Sequence, residues 1–168
     1  MILKRHAARR SQAPRALVAV SDPETRDRVV RAVEACRFLV ETSAEWTETM
    51  ARVESERFDV VVAEVEMPVA GGFDVLRAIR YNRPGTVVVL IGEASGDEIV
   101  ARARNLGAAE YVHKPVDEHR LGIQIRTAWE EKANRQMLRS LGIKGGKLSM
   151  VTGRSSAAQG RSSAAQGR

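Results

Sequence analysis

Five short apolar runs recur along the chain, and a stretch with helical signals follows each one. The runs are Ala16–Val20, Phe38–Val40, Asp59–Glu64, Thr86–Ile91 and Ala109–His113. They are too short for core helices and rich in Val, Leu, Ile and Ala, as strands buried on both faces are. The first helix is predicted from Asp22, with Pro23 at its first position, to about Arg37. Thr42-Ser43-Ala44-Glu45 has the form of a capping box, so a second helix is expected to about Arg57, carrying Trp46, Met50 and Val53. A third spans Phe73–Tyr81, with Val75, Leu76 and Ile79 on one face. A fourth runs from Ser95 to Leu106 and ends on Gly107. A long fifth runs from about Asp117 to Leu141 and closes on Gly142.

Alternation of this kind with short connections requires a parallel sheet with helices on both faces. The expected fold is therefore α/β: a doubly wound, five-stranded parallel sheet with five helices in three layers, its last helix extended. In such a sheet the crevice lies at the carboxyl ends of the strands. The residues to interrogate are those just after each strand: Ser21, Asp22, Glu64, Gly92 and Lys114.

Charge divides the chain. Of 27 basic residues, twelve lie in residues 1–15 and 135–168, where no acid occurs; residues 16–134 hold 15 basic residues against all 21 acidic ones. The net charge of +6 therefore belongs to the two ends, and the middle is acidic. We expect a basic segment over 1–15, a globular domain over 16–130, an extension of the last helix over 131–142 and a basic tail over 143–168. The tail repeats Gly153–Gln159 as Gly160–Gln166. With no large apolar residue in the repeat it is no coiled coil, and a flexible low-complexity tail is expected. Basic ends on an acidic body can contact nucleic acid, an anionic surface or an acidic protein, or simply favour solubility. The Arg-rich start also fits an organelle transit peptide, against which a strand from Ala16 onward argues.

Several chemistries are disfavoured. The single cysteine, Cys36, excludes an intramolecular disulfide and a multi-cysteine zinc site; its apolar helix face suggests a small core residue. His6 and His113 have no partners at metal-ligand spacing, so no metal site is expected. Gly71-Gly72 precedes no Lys-Ser or Lys-Thr and is not a phosphate loop. No apolar run approaches the ~20 residues of a membrane helix. A non-enzymatic protein of the reducing cytoplasm is expected.

The segments Phe58–Arg80 (FDVVVAEVEMPVAGGFDVLRAIR) and Leu106–Val116 (LGAAEYVHKPV) carry a resemblance. Met67-Pro68 followed four residues later by Gly72, and Gly107-Ala108 leading to Tyr111 and Lys114-Pro115, stand at the spacing of the receiver domain of bacterial response regulators. The chain resembles that family over roughly Arg15–Trp129, which implies a CheY-like, flavodoxin-like fold and a cis Lys114–Pro115 bond. An active receiver has an acidic pair after the first strand that holds a divalent cation. It has a phosphoaccepting aspartate ending the third strand, a Thr or Ser after the fourth and a Lys after the fifth. Magnesium and the lysine neutralise the charge that develops as a carboxylate attacks a phosphoryl group.

Mapped onto this chain, the acidic pair falls on Val20 and Ser21, with Asp22 one place later. The acceptor falls on Glu64 and the hydroxyl position on Gly92. Lys114 and the switch aromatic, Tyr111, are retained. Glutamate is one methylene longer than aspartate, and a misplacement of ~1 Å can cost ~10²-fold in rate. Glycine cannot hydrogen-bond a phosphoryl oxygen. The resemblance therefore implies a degenerate pseudo-receiver with weak or absent Mg²⁺ binding and no cofactor. Glu64 either imitates a phosphorylated aspartate beside Lys114 or forms a plain ion pair in a vestigial pocket. Tyr111 is either an interaction residue or a half-buried strand tyrosine.

The expected function is a stand-alone, phosphorylation-independent protein-interaction module of bacterial signalling. Its partner would dock on the face of the fourth helix, fifth strand and fifth helix. A homodimer could form there or along Ala133, Met137 and Leu141 of the last helix, unless that stripe folds back on the body. The rival readings are a phosphoaccepting regulator of a two-component phosphorelay, and a nucleic-acid or anionic-surface binder acting through the basic ends.

Overall fold

A computed structural model describes residues 13–143. The basic stretch 1–12, which holds His6, and the tail from 144 with its repeat lie outside the described residues. The elements alternate throughout. They are β1 (Arg15–Ala19), α1 (Pro23–Ala35), β2 (Leu39–Ser43), α2 (Trp46–Ser55), β3 (Val60–Glu64), α3 (Gly72–Asn82), β4 (Val87–Gly92), α4 (Asp97–Asn105), β5 (Glu110–His113) and α5 (Glu118–Ser140). The sheet is parallel with strand order β2-β1-β3-β4-β5, the doubly wound α/β architecture expected.

The three central strands are buried on both faces because their side chains point alternately into two apolar layers. Val18, Val62, Val89 and Ile91 pack with Val29 and Val33 of α1 and with Leu121 and Ile125 of α5. Leu17, Val61, Val88 and Leu90 pack on the other side with Val53 of α2, Leu76 and Ile79 of α3 and Ala103 of α4. Cys36 is half-buried beside the first layer, its thiol 3.2 Å from the carbonyl of Gly122 on α5.

Two local expectations need correction. Thr42–Glu45 is not a capping box. Pairing of Val18 with Thr42 and Ala19 with Ser43 carries β2 through Ser43, and α2 begins after Glu45 without a side-chain cap. Ser43 Oγ instead donates to the Glu45 carbonyl at 3.1 Å. Arg15, grouped with the basic segment by charge, is the first residue of β1. It pairs with Glu41 (2.5 Å) and Glu56 (2.6 Å) and lies over the Phe58 ring.

Asp22 caps α1, accepting from Thr25 N at 2.7 Å with Pro23 behind it. Gly107 takes φ +96° after α4 and Gly142 takes φ +73° after α5. The Lys114–Pro115 bond is cis. Gly71 and Gly72 serve close approach. A Cβ on Gly71 would lie 2.1 Å from the Val65 carbonyl oxygen, and one on Gly72 2.9 Å from that of Glu64. This contact seats the start of α3 against the end of β3.

Candidate functional site

The carboxyl ends of β1, β3, β4 and β5 bring Ser21, Glu64, Gly92 and Lys114 to one edge of the sheet. Glu64 is the last residue of β3 and is 3% exposed. One of its oxygens, Oε2, accepts from Ser21 N at 2.7 Å and from Ser21 Oγ at 2.5 Å. The other, Oε1, accepts from Lys114 Nζ. Burial pushes the Glu64 carboxyl up, but the hydrogen bonds from Lys114 and Ser21 outweigh it and hold it below the ordinary glutamate range. Lys114 is the mirror case. Burial lowers its ammonium, while the hydrogen bond and charge of Glu64 leave it raised. Both groups are thus held in their charged forms.

Beyond this pair, the exposed Glu93 brings its Oε1 to 3.9 Å from Lys114 Nζ. Val20 is fully buried in the apolar layer shared with α1 and α5. Ser21 spends both its N–H and its hydroxyl on Glu64. Asp22 is exposed and turned to the start of α1, where the Thr25 hydrogen bonds lower its pKa. Glu66 accepts the N–H of Glu93 at 2.9 Å. Among the described residues no three His, Cys, Asp or Glu side chains gather as a metal site would need.

Arg26 also joins this edge, and no motif in the sequence marks it. Its Nη1 donates to the carbonyls of Val20 (3.0 Å) and Ser21 (3.2 Å), which puts a cation beside the end of β1. The available signal was spacing: Arg26 lies one turn after Asp22 and so points back toward the strand end.

Tyr111 lies inward, 9% exposed, and donates to the Ala94 carbonyl at 2.8 Å. Burial, then the charge of Glu66, raises its phenol pKa. It is a buried strand tyrosine rather than an exposed contact residue. Its place depends on Gly92: a Cβ there would lie 2.3 Å from Tyr111 Oη and 3.0 Å from Glu66 Oε1. The Tyr111 hydroxyl fills the space that a side chain at 92 would occupy.

Beside Tyr111, a depression of about 230 Å³ opens between α4 and α5, lined by Gly96, Val100, Val112, Arg120 and Gln124 among others. Near the end of α5, the side that carries Met137 and Leu141 faces away from the body. Met137 is 59% and Leu141 63% exposed, so this stripe does not fold back. No described helix is long and apolar enough to cross a membrane.

Comparison with known proteins agrees with this architecture. The family model for the response regulator receiver domain matches residues 16–126. A two-component response regulator-like protein of Oryza sativa subsp. japonica is 33% identical over 107 residues, 61% of this chain and 20% of that protein. The DNA-binding transcriptional regulator NtrC of Salmonella typhimurium is 25% identical over 139 residues, 82% of this chain and 30% of that protein. The chain thus spans less than a third of the length of either relative. The CheY-like receiver domain structure from Methanospirillum hungatei superposes with a TM-score of 0.68 at 24% identity, covering 74% of this chain and 99% of that one. That likeness is one of fold. The chain belongs to the response regulator receiver domain family.

Proposed function

We propose that this receiver is a pseudo-receiver: a non-enzymatic, phosphorylation-independent protein-interaction module of bacterial signalling, working in the cytoplasm. The observation that carries the reading is the closed network of Glu64, Ser21 and Lys114. A phosphoacceptor needs a carboxylate oxygen free to attack and a divalent cation to neutralise the charge that develops. Here both oxygens of Glu64 already accept hydrogen bonds, one of them from the lysine that would otherwise steady a phosphoryl group.

The donor set also argues against Mg²⁺, which demands near-octahedral oxygen ligation. Val20 and Ser21 replace the acidic pair, Asp22 caps α1, and Arg26 adds positive charge at the strand end. These residues do not fit a divalent cation. Gly92 removes the hydroxyl, and Tyr111 fills its space. In this reading Glu64 is a fixed ion pair, and the inward Tyr111 holds one form of the α4-β5-α5 face, on which a protein partner docks.

The test is intact-protein mass after incubation with a small phosphodonor and Mg²⁺, for the wild type and Glu64→Gln. No adduct on folded protein is expected. Stoichiometric phosphorylation abolished by Glu64→Gln would establish a phosphoaccepting regulator instead.

A further inference from the structure

The opposite edge of the sheet holds an open groove of about 580 Å³ with no place in the reading above. It lies between the amino ends of β4 and β5 and the second half of α5. Five cations line it: Arg80, Arg104, Lys132, Arg135 and Arg139. Only two carboxylates, Glu110 and Glu131, do so, which leaves the groove at +3. None of the five cations takes part in an ion pair among the described residues.

Helix ends explain part of this cluster. Arg80, Arg104 and Arg139 stand near the carboxyl ends of α3, α4 and α5, where the helix dipole favours cations. Arg80 donates to the carbonyls of Pro84 (2.7 Å) and Thr86 (2.6 Å). Its Nε, however, is buried with no partner. Lys132 and Arg135 sit in mid-helix, where no dipole calls for them. Lys132 packs its stem against Gly85 (Cε 4.0 Å from an ideal Cβ there), and burial lowers its ammonium pKa. The opposite charge it senses is Asp59, which already accepts the N–H of Arg15. A desolvated cation that makes no ion pair is costly, and a bound anion removes that cost.

Residues 1–12 and 144–168 contain no Asp or Glu, so none of their side chains supplies the anion. The volume is that of a small-molecule site. Three or more negative charges in that space call for a compact polyanion, and arginine forks match phosphate oxygens in pairs. We propose that this groove binds a small ligand bearing a polyphosphate group, either an inorganic chain or the phosphate arm of a nucleotide.

The experiment is calorimetric titration of the full chain with tripolyphosphate, ATP and citrate. It compares the wild type with Lys132→Gln, with the exposed Arg135→Gln, and with Arg28→Gln on α1 as a control, each checked for a thermal midpoint no lower than that of the wild type. Saturable one-to-one binding is expected, ~10-fold weaker in Lys132→Gln and in Arg135→Gln, from the usual worth of a charge-assisted hydrogen bond, and unaltered in Arg28→Gln. Tighter binding of ATP than of tripolyphosphate identifies the nucleotide as the ligand; equal binding identifies the phosphate chain alone. Citrate binding as tight as tripolyphosphate overturns the polyphosphate assignment. Binding unchanged in both groove variants assigns the anion to the basic ends and overturns the site, as does the lack of saturable binding up to about 1 mM ligand.

Discussion

The two edges of this sheet handle charge in opposite ways. At the carboxyl edge, Glu64 and Lys114 are withdrawn from water and satisfy each other, with Ser21 completing the carboxylate. At the amino edge, Arg80 and Lys132 are also partly withdrawn from water but form no ion pair among the described residues. The receiver fold is built to use its carboxyl edge. In this chain that edge is closed on itself, and the unmet charge lies at the other end. An ion pair whose members satisfy each other has little left to offer a ligand, whereas an unmatched one creates demand.

The largest test of the contrast is Lys114→Met. It leaves a buried, uncompensated Glu64 carboxylate and should cost about 3 kcal/mol of unfolding free energy in urea titration. Lys132→Met in the groove removes a desolvated cation instead and should be neutral or stabilising. Equal losses from both would erase the distinction between the edges.

Gly92→Thr comes next. Its Cβ cannot coexist with the inward Tyr111, so overpacking should cost roughly 1–3 kcal/mol. Tyr111 should become reactive toward tetranitromethane, with Tyr81, already 88% exposed, as the internal reference. Tyr111 as protected in the variant as in the wild type would mean that Gly92 does not determine its position.

The pH dependence is smaller and has a definite sign. Glu64 is lowered on folding, so its contribution is complete above the unfolded value near 4.5 and fades as pH falls through the folded value. Lys114 is raised, so its contribution is complete below 10.5 and fades as pH rises through its folded value. The stability gap between wild type and Glu64→Gln should therefore be flat across neutral pH and narrow at both extremes. A gap that changes between pH 6 and 9 would point to another titrating group. The smallest effect belongs to the exposed pair of Arg31 on α1 and Glu118 on α5. Arg31→Ala should leave the urea midpoint unchanged, because water screens such a pair.

Much of this is legible in the sequence. Apolar runs at strand length, Asp22-Pro23 and Gly107 gave the order of elements because each signal is local. The capping box at Thr42–Glu45 misled for the same reason: four residues carry a local preference, and the ladder with β1 overrode it. Among the site residues, the substitutions at positions 20, 21, 64 and 92 follow from aligning motifs along one strand–helix pattern. Arg26 is not legible in this way, because a long side chain on a helix can reach back across a strand end and no motif records that reach.

What the sequence by itself determined is the strand-helix alternation, the family and the absence of an acidic pair, an aspartate and a hydroxyl at the family's positions. These are properties of residue type at a place in the chain. The tertiary structure alone decided that Ser21 completes the Glu64 carboxylate, that Tyr111 fills the space over Gly92, and that Lys132 comes to lie near Arg80 without forming an ion pair. Those outcomes depend on which side chains distant in sequence are brought within a few ångströms, and on how much water remains between them.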